Sequence, residues 1–323
     1  MNFYSDFKNK IFSDSEINFN SLALELFKFQ AKSNEVYARF IGLLGIEAEE
    51  VARVEDIPFM PIDFFRKHKI LSHGLREEVV FESSGTTSDN ASKHYIHDLS
   101  LYRESLLRTF KYFYKNQDDY LILALTPSPQ QNSKSSLVFM LSELIKQSRK
   151  DDSGFYLDDF KSLADILHNS TEKKILIGLS YALMDFAESF PMSLNGTIVM
   201  ETGGMKGKRE ELPRQALHAY LCEQFALGNI HSEYGMTELL SQAYSKGDGI
   251  FHTPPLMKVL IRDQTDPLSI VQDSGCINII DLVNIGSCAF IATDDLGKLH
   301  TDGSFEVSGR TDMSEQRGCN LLI

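Results

Sequence analysis

The chain has little of what would place it in several large protein classes. Its 323 residues include only four cysteines, Cys222, Cys276, Cys288 and Cys319, which form no CxxC pair and no zinc-type spacing. Their scarcity favours a reduced compartment over a disulfide scaffold. Positive charge is also short: 32 Lys and Arg stand against 45 Asp and Glu, for a net charge of −13. That balance argues against a sequence-independent grip on a nucleic-acid backbone. No apolar run approaches the ~20 residues that span a bilayer. The start, MNFYSDFKNKIFSDSEINF, has neither the basic head nor the apolar stretch of a secretory leader. The expectation is a cytoplasmic protein with no membrane span. A Walker loop is missing too, since Gly203-Gly204-Met205-Lys206-Gly207-Lys208 has the wrong glycine spacing and runs into Arg209. No dinucleotide-binding GxGxxG, internal repeat or low-complexity tract occurs.

What is present is the composition of a globular protein with a sizeable core, 42% hydrophobic and 24% charged. Residues 1–52 read as a helical N-terminal segment, with Ile17, Leu22, Leu24, Leu26 and Phe27 near helical spacing and Ser13 or Ser15 as its cap. Pro58 and Pro61 then force extended backbone. Residues 53–254 read as an α/β core. Within it YLILALTPSP, KKILIGLS and GTIVMETGG are short apolar strands, each followed by an amphipathic helical stretch, the pattern of a parallel sheet flanked by helices. Residues 255–323 change texture: VLIRD, GCINIIDLV, CAFIATDD and SFEVSGR are strands parted by turns. They predict a β-rich, barrel-like subdomain with a short C-terminal tail.

Three groups of residues carry chemistry. Ser83-Ser84-Gly85-Thr86-Thr87 follows an apolar strand, and a loop of small residues leaves its amides free to converge on an anion. Lys93 adds a point charge shortly after it. The second group is Tyr234-Gly235-Met236-Thr237-Glu238: a flat ring, a glycine that permits close approach, a hydroxyl donor and a hard oxygen ligand for Mg²⁺. The third comprises Thr293-Asp294-Asp295-Leu296-Gly297, Asp302-Gly303-Ser304-Phe305 and Gly309-Arg310-Thr311-Asp312, where an aspartate can accept two sugar hydroxyls and an arginine can assist. Taken singly, each also reads as an ordinary loop, cap or hairpin turn.

Their order resembles that of the adenylate-forming superfamily, which includes the acyl-CoA synthetases. Within it, IPFMPIDFFRKHKI, FESSGTTS, EYGMTELLSQAY and RGCNLL are similar to the acyl-protein synthetases of bacterial luciferase operons, and more distantly to phenylacetate–CoA ligases. The resemblance runs from about residue 50 to the end. It implies ATP and Mg²⁺ as cofactors and a carboxylic, fatty, acid as substrate. An acyl-carrier, reductase or transferase protein is the implied partner. Ser83, Ser84, Gly85, Thr86 and Thr87 would form the phosphate loop, with Lys93 beside it, although Lys93 stands further from the threonine pair than in the common SGTTGxPK pattern. Glu201, Thr202 and Gly203 would lie along the nucleotide and Tyr234 and Gly235 against adenine. Thr237 would touch the α-phosphate, Glu238 would hold the metal, and Asp295 with Arg310 would hold the ribose. Full-length relatives carry a small C-terminal lid domain, which this chain, ending at Ile323, is expected to lack. Cys319 lies where luciferase-linked synthetases carry an acyl-accepting cysteine, and equally reads as an inert thiol beside Leu321 and Leu322. Cys222, Cys276 and Cys288 read as core.

Two other readings stand beside this one. Gly178-Leu179-Ser180-Tyr181-Ala182 follows a strand and opens a helix, as the nucleophile elbow of a serine hydrolase or acyl-transferase does, though its fifth position is alanine. The chain also reads as a non-catalytic nucleotide-binding subunit that needs a partner.

Overall fold

A computed structural model describes residues 3–13, 17–84, 91–203, 208–210 and 212–311. Among the described residues the backbone divides into two compact units, one within residues 3–106, 235–242 and 253–311, the other within residues 107–234 and 243–252.

The first unit begins with the helices Phe3–Ile11, Phe19–Ser33 and Glu35–Leu43. The second starts at Asn18, whose side chain accepts from the Ser21 amide at 3.1 Å. Ser13 is not its cap; its hydroxyl donates to Lys10 O at the end of the preceding helix. A short amide side chain at Asn18 reaches the orphan donors of the first turn, which is the work of a cap. Asn34 closes one helix and caps the next, and its buried Nδ2 donates to Ser287 O. Fully buried Gln30 donates to Asn284 O and Ile285 O and accepts from the Ala289 amide. These helices therefore fasten a chain segment some 250 residues away. Phe27, Tyr37 and Phe59 complete the contact by packing round the Phe290 ring at 5.8, 6.1 and 6.3 Å.

The sheet of this unit runs Ile270–Val271, Met257–Arg262, Ser274–Asp281, Phe290–Leu299, Phe305–Arg310, all antiparallel. The Pro-punctuated segment adds the strand Met60–Pro61, parallel to Ile291–Ala292. Val79–Glu82 and Lys93–Ile96 make a separate hairpin with Glu82 opposite Lys93.

The second unit is the parallel part expected from sequence. Gly154–Phe155, Leu121–Leu125, Lys174–Leu179, Thr197–Thr202 and His231–Tyr234 lie side by side in that order, and Ala243–Ser245 and Ile250–His252 continue antiparallel. Strands covered on both faces read as unbroken apolar runs, and all five residues of Leu121–Leu125 are buried. The helices Ser136–Ser148, Phe160–Asn169, Ser180–Ser189 and Arg214–Phe225 connect them. Among the described residues no helix is long and apolar enough to cross a membrane.

Candidate functional site

In a parallel sheet, ligands settle at the carboxyl ends of the strands, where the connecting loops diverge. In the second unit those ends bring Glu201 beside Ser232 and Thr202 beside Glu233 on neighbouring strands. Gly203 follows at φ 45°, a left-handed turn that glycine takes without strain. The two faces of this edge differ because side chains alternate along a strand.

On one face the buried Glu201 carboxylate lies 3.2 Å from Arg214 Nε and 3.6 Å from His218 Nε2, and it accepts from the Ser180 hydroxyl at 3.4 Å. Burial opposes its charge, but His218, Arg214 and the Ser232 hydroxyl outweigh burial and hold its pKa below the usual carboxylate value. The Ser180 hydroxyl thus faces a carboxylate whose lowered pKa makes it a weak base. A serine nucleophile needs a base within hydrogen-bond reach, so this placement weighs against the hydrolase reading.

On the other face Thr202 Oγ1 donates to Glu233 at 2.5 Å, and Tyr114 OH lies 3.0 Å from His231 Nδ1. Burial drives Glu233 up to about 7 and His231 down to about 4. Tyr234, at the end of its strand, is 8% exposed, with its ring 5.8 Å from that of Phe251.

In the first unit the segment after Tyr234 is held by buried polar groups. His94 Nδ1 lies 2.9 Å from Thr237 O and its Nε2 lies 3.0 Å from Asn284 Oδ1. Asn284 Nδ2 donates to Glu238 O at 2.8 Å. Asp281 accepts from the Leu240 and Ser241 amides, the Ser241 hydroxyl and the Val283 amide. Glu238 itself is 2% exposed. A loop pinned at residues 237, 238, 240 and 241 is preorganised, which is what a site acting by position requires.

None of these anchors was singled out from sequence. His94 alternates with Lys93 on its strand: Lys93 and Tyr95 are half-buried, whereas His94 and Ile96 point into the core. It is His94, therefore, that reaches Thr237. The available signal was a histidine at an inward position of a predicted strand next to a candidate site. Ser83 pairs with Ser92: its hydroxyl accepts from the Ser92 amide, and its amide donates to Ser92 O. Ser84 is exposed. Gly85, Thr86, Thr87 and Cys319 lie outside the described residues.

Asp295 and Arg310 are brought together, with Arg310 Nε 2.9 Å from Asp295 Oδ1. Asp294, on the opposite face of the same strand, has a carboxyl raised by burial. Gly297 is needed two residues on, since a Cβ there would lie 2.4 Å from Glu306 O. As expected from sequence, Cys276 and Cys288 are buried, and Cys222 is half-buried. Burial pushes the Cys288 thiol up to about 12, well away from a reactive thiolate.

His94 also sets a pH dependence. Burial lowers its pKa from 6.5 to about 4, although both neighbouring oxygens favour the protonated ring. Because the unfolded chain takes up this proton first, the stabilisation is complete above pH 6.5 and drains away as pH falls towards 4. The total is about 3 kcal/mol. Glu233 has the opposite sign, its contribution being present below 4.5 and lost as pH rises through about 7. His94→Gln is therefore expected to flatten the fall of the urea midpoint between pH 6.5 and 4.5. A variant whose midpoint falls as steeply as that of wild type would show that another group titrates.

Among the described residues no group of three or more His, Cys, Asp or Glu is placed to hold a metal. A single carboxylate beside substrate phosphates is a usual protein contribution to Mg²⁺, and buried Glu238 on its pinned loop has that chemistry.

The fold is that of the adenylate-forming ligases. The solved structures similar to it include ATP-bound MatB from Rhodopseudomonas palustris, with a TM-score of 0.54 and 14% identity over 72% of this chain and 47% of that one. An open conformation of 2-hydroxyisobutyryl-CoA ligase with 2-HIB-AMP and CoA aligns with a TM-score of 0.67 and 11% identity over 92% and 70%. McyG A-PCP complexed with phenylalanyl-adenylate aligns with 0.54 and 15% over 75% and 48%. The chain spans about half the length of the MatB structure. No curated protein sequence matches significantly. The profile of the acyl-protein synthetase family, LuxE, matches residues 6–323, and the chain belongs to that family.

Proposed function

We propose that this protein activates a carboxylic acid, a fatty acid in our reading, as its acyl-adenylate and passes the acyl group to a thiol. The observation that carries the proposal is the Tyr234–Glu238 segment of an acyl-protein synthetase chain, with Thr237 and Glu238 pinned through their carbonyls by His94 and Asn284. ATP is the second substrate. Ser83, Ser84, Gly85, Thr86 and Thr87 receive its phosphates, with Lys93 as the nearby cation. Tyr234 and Gly235 take the adenine, Glu201, Thr202 and Gly203 line the nucleotide, and Asp295 with Arg310 takes the ribose.

A carboxylate oxygen of the acid attacks the α-phosphorus, and the bond to pyrophosphate breaks. The Thr237 hydroxyl donates to an α-phosphate oxygen, where charge develops. Mg²⁺, held by Glu238, would supply charge neutralisation on the phosphates. A thiolate then attacks the acyl carbonyl and AMP leaves. Cys319 is our candidate for that thiol, with Arg317 beside it in sequence to favour the thiolate. A carrier, reductase or transferase protein would be the onward acceptor. ATP-dependent acid activation of this kind fits the cytoplasm, where the nucleotide is made.

Intact-mass spectrometry after incubation with ATP, Mg²⁺ and a panel of fatty and aromatic acids tests the reading. The expected result is an added acyl mass that neutral hydroxylamine removes and that Cys319→Ser abolishes, with acyl-AMP still formed by the mutant. Equal acylation of mutant and wild type would remove Cys319 from the mechanism. ATP binding with neither adenylate nor acyl-protein from any acid would leave a nucleotide-binding subunit.

A further inference from the structure

The strand carrying Asp295 is not regular. Cys276 pairs with Leu296 and Asn278 with Ala292, so the single residue Ile277 faces three, Thr293, Asp294 and Asp295. A bulge of this size interrupts the ladder and deprives backbone groups of their partners. On the far side Asp295 stays opposite Arg310 and the Thr311 amide donates to Asp294 O, and the register there shifts only between Leu296 and Gly297. On the near side the partners come from side chains. Arg262 Nη1 donates to Ile277 O at 3.0 Å and to Asn278 Oδ1 at 2.9 Å, and its Nη2 donates to Thr293 O at 2.6 Å. Thr293 Oγ1 donates to Ile277 O and accepts from the Asp295 amide. One planar guanidinium thus bridges carbonyls on both sides of the bulge, which a single ammonium cannot do.

We infer that Arg262 is a positioning residue for nucleotide recognition: it holds open the bulge that presents Asp295 to the ribose of ATP. Without Arg262 the buried bulge would lose the guanidinium donor to Thr293 O and leave Ile277 O with the Thr293 hydroxyl, and the cheapest repair is to slide the strand into regular pairing. In a regular ladder the side chain of residue 295 changes its place relative to Arg310, and the sugar loses its acceptor. Gly275 and Gly297 mark how close the strands run here, since a Cβ on either would meet a backbone oxygen, at 2.2 and 2.4 Å.

This inference rests on the reading of Asp295 as the ribose ligand, and the experiment separates the two. Calorimetric affinities for MgATP and for Mg²⁺ with 3′-deoxy-ATP are compared in wild type, Asp295→Ala, Arg262→Met and the double mutant. Wild type is expected to prefer ATP by about tenfold, the worth of a charge-assisted hydrogen bond. Asp295→Ala and Arg262→Met should both bring the ratio close to one, and the double mutant should lose nothing more. A merely structural arginine would weaken both nucleotides alike and leave the ratio standing. If Arg262→Met does not fold, Arg262→Lys decides: it keeps the cation, reaches one carbonyl, and should also lose the preference. Arg262 variants that fold and still discriminate as wild type does, while Asp295→Ala does not, would overturn the inference alone. A wild type indifferent to the 3′-hydroxyl would overturn the ribose reading and the inference together.

Discussion

Glu238→Gln is expected to reduce acid-dependent exchange of pyrophosphate into ATP by about 10²-fold or more, the scale of losing one preorganised electrostatic group at a reacting phosphate. Glutamine preserves the shape and one carbonyl oxygen but not the charge a hard cation requires. The loop itself should hold, because Asn284 fastens the backbone carbonyl of residue 238 and not its side chain. ATP affinity should accordingly fall far less than exchange, since the proposed phosphate loop and sugar contacts would remain. The substitution replaces a carboxylate that is 2% exposed with a neutral amide, so folding stability is not expected to drop in proportion. Exchange at the wild-type rate, in a folded variant, would mean that Glu238 is not the metal ligand.

Asp281→Ala is expected to cost about 4 kcal/mol of folding stability, near the top of what single substitutions do. The carboxylate is fully buried and accepts four hydrogen bonds, at 2.7, 3.1, 2.7 and 3.2 Å. Burial pushes its pKa up, and the four donors pull the other way. Removing it leaves three backbone amides and a hydroxyl buried without an acceptor, which is worse than never having built the network. The loss should also reach the chemistry, because the Leu240 and Ser241 amides are the downstream anchor of the loop that carries Thr237 and Glu238. Asp281→Asn should fall between alanine and wild type, as an amide offers one oxygen and points a donor at a donor. Urea denaturation gives the measurement. An alanine variant within about 1 kcal/mol of wild type would show that these donors find other partners.

Much of the second unit was legible beforehand for one reason. A parallel strand buried on both faces must be apolar throughout, so Leu121–Leu125 and Lys174–Leu179 announce themselves without any knowledge of their neighbours. The helix start at Asn18 was less legible, because Ser13 and Ser15 offer the same capping chemistry a few residues earlier. The candidate site was visible as fragments: Tyr234–Glu238, Asp295 and Arg310 each read singly as an ordinary loop or turn, and only their order carries the resemblance. His94, Asp281, Asn284 and Arg262 were invisible for the converse reason. Each is a common polar residue inside a strand or turn pattern, and its meaning lies wholly in which distant carbonyl or amide it meets.

The sequence by itself determined the strand–helix alternation, the change of texture after residue 255 and the ordered fragments that carry the family resemblance, since these depend on local periodicity and residue type. Tertiary structure alone decided that His94 rather than Lys93 reaches Thr237, that Gln30 binds a segment near residue 285, and that Arg262 fills a bulge made by two other strands. The physical reason is that a buried polar group must find a partner wherever one lies in space. In this chain those partners stand from about 15 to more than 250 residues away, beyond the reach of any local pattern.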